Sequence, residues 1–339
     1  MKQDKPLVAI KCLVYNHEPY LRDCLEGFVM QQTNFPFVAI VHDDASTDGS
    51  AAIIREYEEK YPNIIKPIYE TENQYSKHDG SVGRIVDAAI DDTGAKYVAM
   101  CEGDDYWTDP LKLQKQVDFM EANPEYGLCY TDFNFCDEFG NITEESHFKS
   151  SQCKPILTFE EHLFSQGYIA PMSWLYRKDV YKSITNDMLQ GTSDGTYVLA
   201  LEFFAKSKVA YLSDTTATYR VHQGSASRPT SLHKVFKYLK GVYDTEMYYA
   251  IKYSMHKDVL YFIKKDEFLE LLPIALKINN EEYINASIKY SKEHNIDISR
   301  AYIQYQIEKE LASIKRSYAY RIGKLIVKPF SLLRKLLGK

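Results

Sequence analysis

The sequence predicts an α/β fold with a mostly parallel central sheet, helices on both of its faces and a helical region towards the C-terminal end. Three observations carry that expectation. Short apolar runs alternate with stretches of helical periodicity from Leu7 to about Met120, the pattern of repeated βαβ units. Acidic clusters at Asp43-Asp44 and at Glu102 to Asp105 close two of the apolar runs, and ligands of open α/β sheets gather at the carboxyl ends of the strands. From about Thr230 the texture changes to long Lys-, Glu- and Tyr-rich stretches with few strand signals.

The elements follow in order. Leu7 to Val14 reads as a buried parallel strand ending at Tyr15-Asn16, because a strand covered on both faces is apolar throughout. Pro19 suits a first helical turn, and Leu21, Cys24, Leu25 and Phe28 repeat at helical spacing. Phe37 to Val41 is the second strand. Ser46, Thr47 and Asp48 offer N-caps for a helix over 51–61 with Ile53, Ile54 and Tyr57 on its apolar face. Ile64 to Tyr69 is a third strand, Ser81 to Ile90 a helix, and Tyr97 to Cys101 a fourth strand. Asp109-Pro110 starts a further helix through Leu113, Val117 and Met120, and Thr158-Phe159-Glu160-Glu161 has the spacing of a capping box. At 339 residues the chain exceeds one ordinary core. We expect an α/β domain over 1–228, a helical region over 229–312 and a basic amphipathic tail over 313–339.

Composition narrows the function. Apolar residues at 45% and charged residues at 26% are those of a globular chain, against both wholesale disorder and a polytopic membrane protein. The 28 tyrosines suit sugar and base recognition through a flat face with a polar tip, and equally the codon usage of an AT-rich genome. A formal charge of −6 gives no sign of a nucleic-acid partner. The six cysteines are scattered without C-x-x-C spacing, which fits free thiols packed as small hydrophobes in a reducing compartment. The polar start and a first apolar run broken by Lys11 predict neither a signal peptide nor a spanning helix, so a cytoplasmic location is expected.

Several chemistries lose their signatures. No G-x-G-x-x-G follows the first strand, and G-x-x-x-x-G-K-[ST] is absent, against a dinucleotide dehydrogenase and a P-loop enzyme. His17-Glu18 lacks the second histidine of a zincin, and no G-x-S-x-G elbow occurs. What remains is Glu102-Gly103-Asp104-Asp105, three carboxylates in four residues at a strand end. Their mutual repulsion needs solvent, hydrogen bonds or a cation to offset it. A Mg²⁺ or Mn²⁺ that keeps positions for water and substrate phosphates is one answer, and a solvated acidic turn before the Asp109-Pro110 helix is the other.

Four segments stand in an order that resembles the family 2 glycosyltransferases of the GT-A fold: Val14-Tyr15-Asn16-His17-Glu18, Asp43-Asp44-Ala45-Ser46-Thr47-Asp48-Gly49-Ser50, Glu102-Gly103-Asp104-Asp105-Tyr106-Trp107 and Tyr219-Arg220-Val221-His222. The resemblance spans about residues 6–228 and implies an inverting transferase that uses a nucleotide-sugar, usually a UDP-sugar, with Mn²⁺ or Mg²⁺. It implies that Val14, Tyr15 and Asn16 hold the nucleotide base with Asp44 as carboxylate partner. Glu102-Gly103-Asp104 is similar to the family's Asp-x-Asp, with Asp104 the metal ligand, Glu102 longer by one methylene than the usual first Asp, and Asp105 an alternative ligand. Tyr106 and Trp107 then either floor the sugar site or pack the next helix. Lys77 and Arg84 fall where the family often contacts base or phosphate, and His78 is expected in solvent.

The same resemblance places the catalytic base in Thr192-Ser193-Asp194-Gly195, hence at Asp194, although Ser193 stands where the family usually has an acid. The plain alternative for Asp194 is a helix N-cap. Arg220 and His222 would meet the departing diphosphate, the histidine as a ligand or hydrogen-bonding group. Donor and acceptor specificity is expected from pocket shape around Pro171 to Trp174. No Gln-x-x-Arg-Trp motif of processive synthases occurs, so addition of a single sugar to a glycan acceptor in surface-polysaccharide assembly is expected. From Lys315 to Lys339 eight basic residues and no acidic one interleave with apolar positions, Pro329 dividing the run. That pattern reads as an interfacial helix that would hold the protein at the inner membrane surface beside a lipid-linked acceptor, or as a tail docked on protein. A sugar nucleotidyltransferase is the competing enzyme, but its Gly-rich basic stretch is missing from Leu13 to Tyr20. A non-catalytic glycan or nucleotide-sugar binder of the same fold is the third possibility.

Overall fold

A computed structural model describes residues 5–150, 153–165, 169–184, 195–222 and 231–297. The chain divides into two compact units, residues 1–227 and 228–339.

The first unit is α/β. It runs β1 (Val8–Val14), α1 (Leu21–Val29), β2 (Phe37–Asp43), α2 (Ser50–Lys60), β3 (Ile65–Tyr69), α3 (Ser81–Thr93), β4 (Tyr97–Met100), β5 (Tyr106–Trp107), α4 (Lys112–Ala122) and β6 (Tyr126–Cys136). It continues with β7 (Ile142–Glu144), α5 (His147–Ser150), α6 (Phe159–Ser165), β8 (Trp174–Arg177), α7 (Lys178–Lys182), α8 (Gly195–Lys206) and β9 (Lys208–Arg220). The described strands form one sheet in the order β3-β2-β1-β4-β8-β6-β9-β5, with β7 on β6. The first four strands are parallel, Val8 standing between Phe37 on β2 and Tyr97 on β4. Beyond them β8 is antiparallel to β4 and β6, β6 and β9 are parallel, and β5 runs against β9.

The parallel half is where the sequence was plainest. Val8, Ala9, Ile10 and Cys12 on β1, Ala39 and Val41 on β2, and Val98 and Ala99 on β4 are buried, as helices on both faces demand. The capping box is present, since Glu161 N donates to Thr158 Oγ1 at 3.1 Å and Thr158 N donates to the Glu161 carboxylate at 3.2 Å. Other starts are shifted. Gly49 occupies the N-cap of α2 without a side-chain bond, and Asp48 instead accepts the Ser50 N–H at 3.0 Å. Asp109 accepts the Leu111 N–H at 2.8 Å ahead of α4.

Strands β5 to β9 were not expected. Strand β6 carries Thr131 and Asp132, residues that break an apolar run, yet both are buried and bonded. Thr131 Oγ1 lies 2.6 Å from Thr216 Oγ1 on β9, and Asp132 accepts from Phe133 N, Phe148 N and the Tyr211 hydroxyl. Cross-strand hydrogen bonding lets polar side chains sit inside. Trp107 belongs to this core, 2% exposed with its indole N–H on Met172 O at 2.8 Å. It packs edge-on against Phe28 and therefore does not floor a sugar site. Pro171 to Trp174 are buried as well, so they back the core. Cys12, Cys24, Cys101, Cys129 and Cys136 are buried free thiols, and Cys153 is exposed.

In the second unit the described helices are α9 (Leu232–Lys252), α10 (Lys257–Lys277) and α11 (Glu281–His294). Ser231 and Asn280 cap α9 and α11 through bonds to Lys234 N and Tyr283 N. Ile263, Phe268, Leu271, Leu272 and Ala275 make the buried side of α10. Among the described residues no helix is long and apolar enough to cross a membrane. Asp194 and the basic tail over 313–339 lie outside the described residues.

Candidate active site

The site is assembled where β1, β2 and β4 end. Parallel pairing carries each strand's last residues to the same edge, and the backbone continues that alignment into the loops. Asp44 N donates to Val14 O at 2.9 Å on one side of β1, and Gly103 N donates to Leu13 O at 3.0 Å on the other. The acidic clusters noticed in the sequence thus flank the Val14-Tyr15-Asn16 segment.

That segment is bonded into the loop after β2. Asn16 N donates to Ser46 Oγ, His17 N to Ser50 Oγ and Glu18 N to Asp48 Oδ2, each at 2.9 to 3.0 Å. In return Thr47 N donates to Asn16 Oδ1 at 2.8 Å and Gly49 N to Glu18 Oε2 at 2.7 Å. Asn16 and Ala45 take positive φ of 56° and 58° to make the turns, conformations that survive in non-glycine residues only where the surroundings hold them. The carboxamide oxygen of Asn16 is used within the protein, and the preceding residue, Tyr15, is 46% exposed.

Across β1 the Glu102-Gly103-Asp104-Asp105 loop closes on the end of β9. Asp104 Oδ2 lies 3.0 Å from His222 Nε2. Asp105 Oδ1 accepts the Arg220 backbone N–H at 2.8 Å, and Arg220 Nε donates to Asp104 O at 3.0 Å. The guanidinium reaches Asp23 at 2.9 Å and stands over the rings of Tyr20 and Tyr106 at 4.8 and 5.3 Å. Glu102 is exposed. Asp104, Asp105, Arg220 and His222, separated by more than a hundred positions, therefore meet.

The two aspartates differ electrostatically. Burial pushes the Asp105 carboxyl well above the usual carboxylate range, and the charge of Asp104 adds to the push. Burial also works to raise Asp104, but the hydrogen bond from His222 and the field of His17 outweigh it, so its pKa is lowered. His17, to which sequence reasoning assigned no role beyond its place in the Val14–Glu18 segment, is a half-buried neighbour of this pair. Burial lowers its pKa against the opposing pull of Asp104, and its Nδ1 has no hydrogen bond among the described residues. Gly103 is required here, because a Cβ would lie 2.7 Å from that Nδ1 and 3.0 Å from Val14 Cγ2.

Does this donor set suit a divalent cation? Asp104 Oδ1 is buried and without a hydrogen bond among the described residues, a cost that a cation would remove. Among the described residues no group of three or more His, Cys, Asp or Glu side chains converges as a ready metal cage. A carboxylate with one histidine fits an ion that takes its other ligands from water and substrate phosphates. Asp105 Oδ1 is already engaged by the Arg220 N–H, and Asp104 carries the carboxylate oxygen that is buried and unsatisfied among the described residues.

Asp44 stands beside Val14 at the same edge, while Lys77, His78 and Arg84 lie in the turn and helix start after β3. Both oxygens of Asp44 accept backbone N–H groups, from Gln74 at 2.7 Å and Tyr75 at 3.0 Å. Lys77 pairs with Glu72 and Arg84 donates to Asp79 O, both on the surface. His78 is exposed in a left-handed turn.

The sequence model of glycosyl transferase family 2 matches residues 12–185, from within β1 to just beyond α7. The chain belongs to glycosyl transferase family 2. Rv1520 of Mycobacterium tuberculosis (strain H37Rv) is 34% identical over 215 residues, 63% of this chain and 59% of that protein. The chain thus spans 59% of the length of the first curated relatives it matches. Among solved structures, Staphylococcus aureus TarS 1–349 in complex with UDP-GlcNAc matches with a TM-score of 0.53 at 17% identity, over 80% of this chain and 72% of that one. The mannosyltransferase PcManGT of Pyrobaculum calidifontis, in complex with GDP-Man and Mn²⁺, matches with a TM-score of 0.53 at 13% identity, over 99% and 88%. At such identities the likeness speaks for the fold, and the family 2 chain has the GT-A architecture expected from its motifs.

Proposed function

We propose that this family 2 member transfers a single sugar from a nucleoside-diphosphate sugar, a UDP-sugar in the first instance, to a hydroxyl of a glycan acceptor with inversion at the anomeric carbon. The observation that carries the reading is the Asp104–His222 pair, with Asp104 Oδ1 unsatisfied among the described residues, set beside Arg220 at the carboxyl edge of the parallel strands. TarS and PcManGT hold UDP-GlcNAc and GDP-Man, both nucleoside-diphosphate sugars, which supports that donor class.

In this reading Val14, Tyr15 and Asn16, with Asp44 behind them, form the base end of the donor site. Glu102 and Gly103 border the ribose, and Asp104 and His222 would hold Mn²⁺ or Mg²⁺. The cation supplies positive charge against the departing diphosphate. Arg220, fixed by Asp23 and by the carbonyl of Asp104, offers a second positive group whose orientation is set before substrate arrives. Asp105 keeps the β9 end against the carboxylate loop through the Arg220 N–H. Asp194 takes the proton of the attacking acceptor hydroxyl.

The deciding experiment is a panel of nucleotide-sugars incubated with the full chain and Mn²⁺, followed by release of the nucleoside diphosphate. One donor should be turned over, and Asp194→Asn should lower transfer by about 10²- to 10⁴-fold while leaving nucleotide affinity within a few-fold. Turnover of none, or unaltered transfer by the variant, defeats the reading or the base assignment respectively. We also propose that the basic tail over 313–339 draws the protein to an anionic membrane bearing a lipid-linked acceptor, each basic residue contributing about 1 kcal/mol. Removing residues 313–339 should then abolish sedimentation with anionic vesicles, and unchanged sedimentation would refute it.

A further inference from the structure

Arg220 is 3% exposed, and few bonds hold its guanidinium. Nε donates to Asp104 O at 3.0 Å and Nη2 to Asp23 Oδ2 at 2.9 Å, while Nη1 makes no hydrogen bond among the described residues. The Asp23 side chain is 59% exposed, and a solvated carboxylate fixes the orientation of its partner only weakly. The remaining neighbours are rings. The ring centres of Tyr20 and Tyr106 lie 4.8 and 5.3 Å from the guanidinium carbon, and a guanidinium over an aromatic face is attracted by the π-cloud, most strongly where water is excluded.

Tyr20 has a second neighbour at the site. Its ring centre lies 5.0 Å from that of His222, tilted by 43°, so one ring touches both basic groups at the end of β9. The backbone beneath it is firm. Tyr20 N donates to His17 O at 2.9 Å, and α1 continues into the buried Leu21, Cys24, Leu25 and Phe28. Tyr20 also occupies the N-cap of α1 with no side-chain bond to the helix, where Ser, Thr, Asp or Asn would satisfy a free N–H. The helix forgoes that cap, and the side chain standing there is engaged by Arg220 and His222 instead.

We propose that Tyr20 is a positioning residue for transfer: its ring, together with that of Tyr106, holds the Arg220 guanidinium beside the Asp104–His222 pair in the orientation that meets the diphosphate of the donor. The inference rests on the nucleotide-sugar reading above. Without the ring the guanidinium turns among other orientations, and affinity falls by the fraction of time the competent one is occupied. A cation–aromatic contact in a water-poor site corresponds to a population ratio of roughly 5- to 30-fold. The loss belongs to the diphosphate and not to the base.

The test is calorimetric titration of the full chain and its Tyr20→Leu, Tyr20→Phe, Arg220→Met and Tyr20→Leu/Arg220→Met variants with UDP, GDP and inorganic pyrophosphate, each with Mn²⁺. Tyr20→Leu keeps apolar bulk but has no π-face, and it should weaken pyrophosphate and whichever nucleotide the wild-type chain binds by the same factor, roughly 5- to 30-fold. Tyr20→Phe should stay within about twofold of wild type, since the ring acts and the hydroxyl does not. In the Arg220→Met background Tyr20→Leu should cost less than about twofold, because its effect passes through the guanidinium, whereas a purely structural tyrosine would cost the same in both backgrounds. Unchanged affinity in Tyr20→Leu, an equal loss in Tyr20→Phe, or a loss undiminished in the Arg220→Met background overturns the proposal. A wild-type chain that binds pyrophosphate but neither nucleotide overturns the donor reading and leaves Tyr20 to be judged by the pyrophosphate series, and one that binds none of the three overturns both.

Discussion

Asp104 and Asp105 are adjacent in the chain and opposite in environment. The first faces His222 and keeps one buried oxygen unsatisfied among the described residues, and the second is turned to a backbone N–H and buried to a raised pKa. A run of three carboxylates in four residues was legible from its composition as either a candidate cation site or a solvated acidic turn. Which of the aspartates meets His222 was not, since that depends on the rotation of two successive peptide units. Asp104→Asn should therefore remove most of the Mn²⁺-dependent gain in nucleotide affinity. Titrations of UDP with and without Mn²⁺ check it, and a gain equal to that of the wild type would move the metal role to another residue.

Elements contribute through their loops. The motifs after β1 and β2 were readable as separate signatures, but their side chains bond mainly to each other, as Asn16 with Thr47 and Glu18 with Gly49 show. His17 lies in the same loop and reaches the Gly103 turn of β4, a proximity with no trace in residue type. The Gly103→Ala variant tests how closely these loops must fit. The added methyl would press on His17 and Val14, and a displacement of about 1 Å at the reacting centre can cost on the order of 10²-fold in rate. We expect a loss of that order in sugar transfer with a thermal midpoint lowered by a few degrees, since Val14 and Leu21 beside the added methyl are core residues, measured by paired kinetics and melting. A midpoint that collapses in step with the rate would mean that the glycine serves folding.

Stability of the whole α/β unit carries a pH signature through Lys112. This lysine is fully buried, its amine 2.6 Å from Gln116 Oε1 and 4.5 Å from the Trp107 ring centre, and burial lowers its pKa to about 7. The unfolded chain keeps the ordinary lysine value near 10.4. Between those two values the unfolded state binds the extra proton, so stability rises with pH by up to about 1.4 kcal/mol per unit and levels off below and above the window. Lys112→Met should remove that slope. Urea melts of both proteins at pH 7.5 and 9.5 measure the difference, and parallel responses would show that Lys112 remains charged in the fold.

The sequence by itself determined the parallel half of the sheet, the helices that cover it, the Thr158–Glu161 cap and the acidic strand ends. Each is a local matter, since burial on both faces or a free helix terminus selects residue types at fixed spacing. The tertiary structure alone decided strands β5 to β9, where Thr131 finds Thr216 and Asp132 finds Tyr211. It also decided that Asp104 meets His222 and that Asp105 meets Arg220, pairs 118 and 115 positions apart. A periodic pattern records which face of an element is apolar. The partner that satisfies a buried polar group comes from another element, and sheet order determines which one.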